Sequence, residues 1–183
     1  MLSHMSDALI RPSTSADVTA ISDIYAHHVM HGTATFEITP PTAEEIARRR
    51  DAVIDEGLPF LVAECGGEIA GYAYAGLYRP RPAYRYTVED SIYLHPGHLR
   101  KGLGSQLLAE LIRQCELGQR RQMIAVIGDS RNAPSIRLHQ NAGFRHTGVF
   151  QSVGWKFGRW LDTVLMQRPL GAGDQSPAGT LAV

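Results

Sequence analysis

The chain has little of what usually narrows a function quickly. It holds only two cysteines, Cys65 and Cys115, with no metal-like spacing. That excludes a disulfide framework and a cysteine metal cluster, and it makes a reducing cytoplasm the expected compartment. Cys115 falls on the apolar side of a predicted helix and reads as core. Neither charge sign is in excess: 18 lysines and arginines face 18 aspartates and glutamates. Neither nucleic acid nor a membrane surface is therefore expected as a partner. No apolar run approaches the roughly 18 residues of a membrane span. Met1 to Ser6 has no basic n-region and no apolar h-region, so it is not read as a signal peptide. There is no internal repeat and no linker that would divide the chain.

What is present suits one globular domain. The 183 residues are 44% apolar and 20% charged, enough for a hydrophobic core. Residues 1–7 are expected to be a flexible segment, with Ser3-His4-Met5 resembling a cloning scar. Residues 169–183 are expected to be a flexible tail, rich in glycine from Gly171 onward. Between them, 8–168 reads as the domain. Ala8 to Arg11 is a short strand. Ser15 to about Val29 is a helix, capped by Thr14 or Ser15. Thr42-Ala43-Glu44-Glu45 is a capping box for a second helix that Gly57 closes. Pro59–Glu64 and Glu68–Tyr78 flank Gly66-Gly67 as a hairpin. Tyr86–Leu94 is a strand. A helix follows with Leu103, Leu107, Leu108, Leu111, Ile112 and Cys115 on one face. Met123–Ile127 is a buried strand, Pro134–Asn141 a short helix, and His146–Val153 and Trp160–Gln167 two last strands. The order βααβββαβαββ predicts an α/β fold, a mixed sheet with helices on both faces.

The most specific stretch lies where Ser91-Ile92-Tyr93-Leu94 runs into His95-Pro96-Gly97-His98-Leu99-Arg100-Lys101-Gly102-Leu103-Gly104-Ser105. A strand enters a basic turn with glycines, and the turn opens directly into a helix. The first amides of a helix lack intrahelical acceptors and sit at its positive end. Gly102 and Gly104 allow close backbone approach, and Arg100 and Lys101 add charge. The expected ligand is a phosphate or pyrophosphate. A Walker loop does not fit, because Lys101 precedes Gly102. The dinucleotide fingerprint does not fit either, because Leu107 stands where its third glycine belongs.

This loop resembles the pyrophosphate loop of the GCN5-related N-acetyltransferases, with Leu99 where the family has Gln or Arg. Two further segments resemble the phosphinothricin and methionine sulfone/sulfoximine acetyltransferase branch. One runs from Ala75 to Tyr93 and the other from Val153 to Asp162. Together with Pro134-Ser135-Ile136-Arg137-Leu138-His139 they run through most of residues 8–168. The resemblance implies a mostly antiparallel sheet of about seven strands, acetyl-coenzyme A as cosubstrate with no metal, and a homodimer. It implies coenzyme contacts at Ile92, Tyr93, Leu94, Arg100, Lys101, Gly102, Leu103, Gly104, Ser105, Asn132 and Asn141. Acceptor contacts are implied at Arg79, Pro80, Arg81, Glu89, Asp90 and Ser91, and a detoxifying role for the enzyme.

The chemistry of amine acetylation agrees with that set. The amine must lose a proton, directly or through water. Glu89, on the strand that enters the loop, is the candidate base. The thioester oxygen needs a donor as it gains charge, and the backbone around Leu94 can supply it. His139 can act on the sulfur as an acid, or pair with Glu89. Arg79, Arg81 and Arg85 can grip a carboxylate, with Tyr78, Tyr84 and Tyr86 as walls. Thr33 and Phe36 can line the acceptor pocket, and the Trp155–Trp160 hairpin can cover the site or pack in a dimer. Tyr93, alternating with Ile92 and Leu94, can face either ligand or core. His27, His28 and His31 have no acidic or cysteine partner, so no metal site is expected there. Two other functions fit these residues less fully: acetylation of a different amine, such as a polyamine or a protein terminus, and coenzyme A sensing without catalysis.

Overall fold

The computed structural model describes residues 8–179; the expected flexible segment 1–7 lies outside the described residues. The elements in order are β1 (Leu9–Pro12), α1 (Val18–His31), α2 (Ala43–Asp55), β2 (Phe60–Cys65), β3 (Glu68–Leu77) and β4 (Thr87–Leu94). Then come α3 (Leu103–Leu117), β5 (Gln122–Gly128), α4 (Ala133–Asn141), β6 (Arg145–Lys156) and β7 (Arg159–Pro169). The predicted order holds. The first helix is the main local difference: residues Ser15–Asp17 form a 3-10 turn before α1 begins. Asp17 explains it, because its carboxylate accepts the Thr14 amide and two bonds from Arg11. The Arg11 hydrogen bond is the main cause holding Asp17 down to about 2. Thr42 caps α2 by accepting the Glu45 amide at 3.2 Å. Glu45 does not reach back as a full capping box requires; it pairs with Arg48 and Arg49 instead.

One seven-stranded sheet runs β1-β2-β3-β4-β5-β7-β6. All neighbours are antiparallel except β4 and β5. Each face carries its own core. On one face α3 lays Leu107, Leu108 and Leu111 against Ala73, Val88, Met123 and Met166, with α4 alongside. Every apolar position predicted for α3 is buried. On the other face α1 and α2 pack Ile21, Ile24, Val29 and Ile46 over Phe60, Val62 and Tyr72. Burial at this density is the dominant favourable contribution to the fold. Among the described residues no helix is long and apolar enough to cross a membrane.

The parallel pairing of β4 with β5 is short. It covers only Thr87–Asp90 against Gln122–Ala125. Beyond Asp90, β4 continues along β3 as far as Leu94 opposite Gly71. Beyond Ala125, β5 continues along β7 as far as Gly128 opposite Thr163. The two central strands therefore part, and a wedge opens between them.

Candidate active site

Strand geometry assigns the groups that face the wedge. The His95 amide donates to Ala70 on β3 at 2.9 Å, and Tyr78 likewise donates to Thr87. Backbone groups alternate in direction along a strand. Odd-numbered residues of β4 thus bond β3, while those of Ile92 and Leu94 point to the side where β5 has left. His28 accounts for one of them, its Nε2 lying 2.8 Å from the Leu94 carbonyl oxygen. A carbonyl only accepts, so Nε2–H donates. Burial lowers the pKa of His28, so the ring is held neutral. The Leu94 N–H, on the same side, faces the wedge.

The wedge is a cleft of about 690 Å³ that extends to the start of α3. Gly102, at φ 80°, precedes the helix. Left-handed backbone is inexpensive there only for glycine. The first intrahelical bond is Gln106 to Gly102, so the Leu103, Gly104 and Ser105 amides have no partner within the helix. Arg100, at φ 61°, completes the turn. These amides and Arg100 line one end of the cleft, and the residues fit a phosphate-bearing ligand.

Of the expected coenzyme contacts, Ile92, Tyr93, Leu94, Arg100, Gly102, Leu103, Gly104, Ser105, Asn132 and Asn141 all line this cleft; Lys101 does not. Asn132 also caps α4, accepting the Ser135 amide at 3.3 Å, which leaves its Nδ2 group to a ligand. The Tyr93 ring turns to the other face, 5.1 Å from Tyr25 and 5.4 Å from Tyr72. Its contribution to the cleft is its backbone. The cleft residues that escaped sequence reasoning include His28, Arg137 and Val126 on β5. Arg137 was recoverable, because it lies one helical turn from Asn141 on the same face. His28 was not, because its partner lies 66 residues away.

The acceptor set divides. Side chains alternate across a sheet, so Glu89, Ser91 and Tyr93 face α1 and α2, whereas Asp90, Ile92 and Leu94 face α3 and α4. Asp90 is thereby separated from Glu89 and Ser91, with which it was grouped. It is buried, and its Oδ2 lies 2.9 Å from His139 Nε2. The expected option of a Glu89–His139 pair is overturned for the same reason: the two lie on opposite faces. The other His139 nitrogen, Nδ1, lies 2.8 Å from the Ser135 carbonyl and must donate to it. Burial opposes a charge on His139, but the Asp90 hydrogen bond and charge outweigh it, with help from the Ser135 carbonyl, and raise its pKa. Both nitrogens are engaged, and the pair ties α4 to β4 across the mouth of the split.

Glu89 is half-buried. Burial is the main cause that raises its pKa, Asp90 adds to the rise, and Arg79 opposes it. Such a carboxylate suits proton abstraction. Arg79, Pro80 and Arg81 are exposed and outside the cleft, on the loop between β3 and β4. Arg79 stacks on Tyr78, 4.4 Å from the ring centroid. Phe36 and Thr33 sit against the end of β5, where a side chain on Gly128 would strike both residues. Lys156 donates to the Thr35 carbonyl at 2.8 Å. The loop after α1 is thus fastened beneath the β6–β7 hairpin.

Fold and cleft together define an α/β protein with a split central strand pair, a helix start whose first amides face the cleft, and a carboxylate on the opposite sheet face. Comparison with known proteins makes the class specific. The sequence matches the acetyltransferase (GNAT) family over residues 21–144, and the chain belongs to that family. It is 55% identical to the phosphinothricin N-acetyltransferase of Alcaligenes faecalis, over 90% of this chain and 84% of the relative. It is 42% identical to the L-methionine sulfoximine/L-methionine sulfone acetyltransferase of Salmonella typhimurium, over 88% and 94%. Its fold matches the phosphinothricin acetyltransferase of Sinorhizobium meliloti in complex with acetyl-coenzyme A. That match has TM-score 0.92 and 45% identity, covering 94% of this chain and 93% of the other.

Proposed function

We propose that this protein transfers acetyl from acetyl-coenzyme A to the α-amine of a small amino-acid analogue: phosphinothricin, methionine sulfone or methionine sulfoximine. The observation that carries the reading is the split between β4 and β5. It leads from an anion-binding helix start to a strand whose opposite face holds a desolvated carboxylate. The names of the relatives support the acceptor class.

In this reading the Leu103–Ser105 amides and Arg100 hold the pyrophosphate, and Asn132 and the β4 edge hold the pantetheine arm. The coenzyme supplies an activated acetyl thioester. The Leu94 N–H stabilises negative charge on the thioester oxygen as the amine adds to the carbonyl carbon. Glu89 takes the proton shed by the attacking nitrogen, through water. The carbon–sulfur bond then breaks, and coenzyme A leaves as thiolate. His139, held by Asp90, keeps a positive charge near the departing sulfur. Arg79 and Arg81 grip the acceptor's carboxylate or its phosphinyl or sulfonyl oxygen, with Pro80 and Ser91 beside it. Acetylating the amine removes its charge, which is the basis of the detoxifying role. The buried, unpaired thiols of Cys65 and Cys115 suit a cytoplasmic enzyme.

The β6–β7 hairpin supports a homodimer. Strand β6 is the sheet edge, and Phe150, Trp155, Phe157 and Trp160 are each more than half exposed there. A second copy would bury this apolar face. Sedimentation velocity of the wild type and of Trp160→Glu tests it: a dimer converted to monomer is expected, and a monomeric wild type overturns it. Thiol release with an acceptor panel tests the function. Turnover with the three analogues is expected; turnover only with spermidine or an amino-terminal peptide overturns the acceptor assignment.

A further inference from the structure

We infer that Gly76 is kept without a side chain to seat the acceptor beside Glu89, and that this position sets how bulky an acceptor the enzyme takes. The inference rests on the reading that Glu89 faces the acceptor.

Gly76 lies within β3 and pairs directly with Glu89 of β4. Opposed residues on antiparallel strands project to the same face. Glycine inside a strand weakens it relative to alanine, by entropy and by lost packing, so its presence needs a reason. Two usual reasons are absent. The backbone is not left-handed at Gly76, and a Cβ built there meets no heavy atom within 4 Å. Gly71, five residues earlier on the same strand, is the contrast. A Cβ there would lie 2.5 Å from the Leu94 side chain and 2.9 Å from the Tyr93 carbonyl. Packing requires glycine at 71 and does not require it at 76.

What Gly76 does is leave room. The space is bounded by Glu89 across the strand pair and by Tyr74, the next residue of β3 on this face. Arg79 follows three residues on, close enough for its charge to act on Glu89. An acceptor amine directed at Glu89 with its anionic group toward Arg79 must pass over position 76. A side chain at 76 would enter that path from a Cβ that meets no heavy atom of the fold within 4 Å.

The test is Gly76→Ala and Gly76→Val, with Glu89→Gln assayed in parallel. Gly76→Val should lower acceptor kcat/KM by about tenfold or more, since one misplaced methylene in a pocket costs roughly 10–200-fold. Gly76→Ala should fall between Val and the wild type. Acetyl-coenzyme A affinity, measured by calorimetry, should not change. The melting temperature should stay level or rise, because valine favours strands. Wild-type kcat/KM in Gly76→Val, with Glu89→Gln crippled, overturns the inference and keeps the Glu89 site. Both variants at wild-type rate overturn the Glu89 reading itself and the inference with it. A drop in melting temperature or in coenzyme affinity assigns Gly76 to packing and also overturns the inference.

Discussion

The two faces of strand β4 are one residue apart in sequence and different in chemistry. The even face carries Asp90, Ile92 and Leu94 toward α3 and α4, where the cleft is deep and partly apolar. The odd face carries Glu89, Ser91 and Tyr93 toward α1 and α2, under an aromatic layer of Tyr25, Tyr72 and Tyr74. Their carboxylates differ accordingly. Asp90 is buried and hydrogen-bonded to an equally buried histidine. Among the described residues Glu89 has no such partner; burial raises its pKa, and Arg79 opposes the rise. A paired buried carboxylate is a fastening, whereas an unpaired half-buried one is, in the proposed reading, the base. In the proposed reading, this one strand separates the coenzyme side from the acceptor side.

Substitutions on the two faces should give different signatures. The largest effect belongs to the odd face. Glu89→Gln should lower kcat by about 10²–10⁴-fold, the usual contribution of a general base, with coenzyme affinity intact. The acid limb of the wild-type pH–rate profile should lie above 4.5, the ordinary glutamate value, because its pKa is raised. That limb should vanish in the variant. Steady-state rates between pH 4 and 9 check both statements, and an unchanged limb would remove Glu89 from the chemistry.

Next comes the even face. Asp90→Ala strands His139 in a buried site, and breaking such a pair costs about 3 kcal/mol. The folded pKa of His139 is raised above 6.5, so the folded state binds more protons than the unfolded state over that interval. The pair's stabilisation is therefore complete below about pH 6.5 and fades as pH rises through the raised value. Urea unfolding of wild type and Asp90→Ala along a pH series reads this as a gap that narrows with rising pH. Subtracting the curves cancels His28, whose shift has the opposite sign. A gap that stays level across the series would show that the histidine is buried neutral in both proteins.

The smallest effect falls on His28, which comes from the odd-face layer but bonds the even-side carbonyl of Leu94. His28→Phe should raise KM for acetyl-coenzyme A by about tenfold, the equivalent of one hydrogen bond to a cleft wall. His28→Gln should recover part of it, and KM for the acceptor should not move. A matching rise in both would mean that His28 supports the fold generally rather than the β4 edge.

Much of this was legible in the chain. The apolar face of α3 was readable because helical period alone sorts buried from exposed positions. The glycine-bearing turn that opens α3 was readable because glycine placement and helix start are local. The Gly66-Gly67 and Phe157-Gly158 turns were likewise local, each with two left-handed residues. Strand alternation even contained the parity that sets Glu89 against Asp90. Parity alone does not say which helix covers which face, so it could not decide which carboxylate meets His139. Glu89 and Asp90 are adjacent in sequence, and only the docking of α4 distinguishes them.

The sequence by itself determined the order of elements, the apolar face of α3 and the glycine-bearing turn that opens that helix. Each of these depends on interactions within a few residues or on a simple period. The tertiary structure alone decided that β4 and β5 part after Asp90, that His28 secures the Leu94 carbonyl, that Asp90 belongs to His139, and that Gly76 stands open beside Glu89. Those contacts join residues 13 to 66 positions apart, and they come from packing two helical layers on a twisted sheet, which no local pattern encodes.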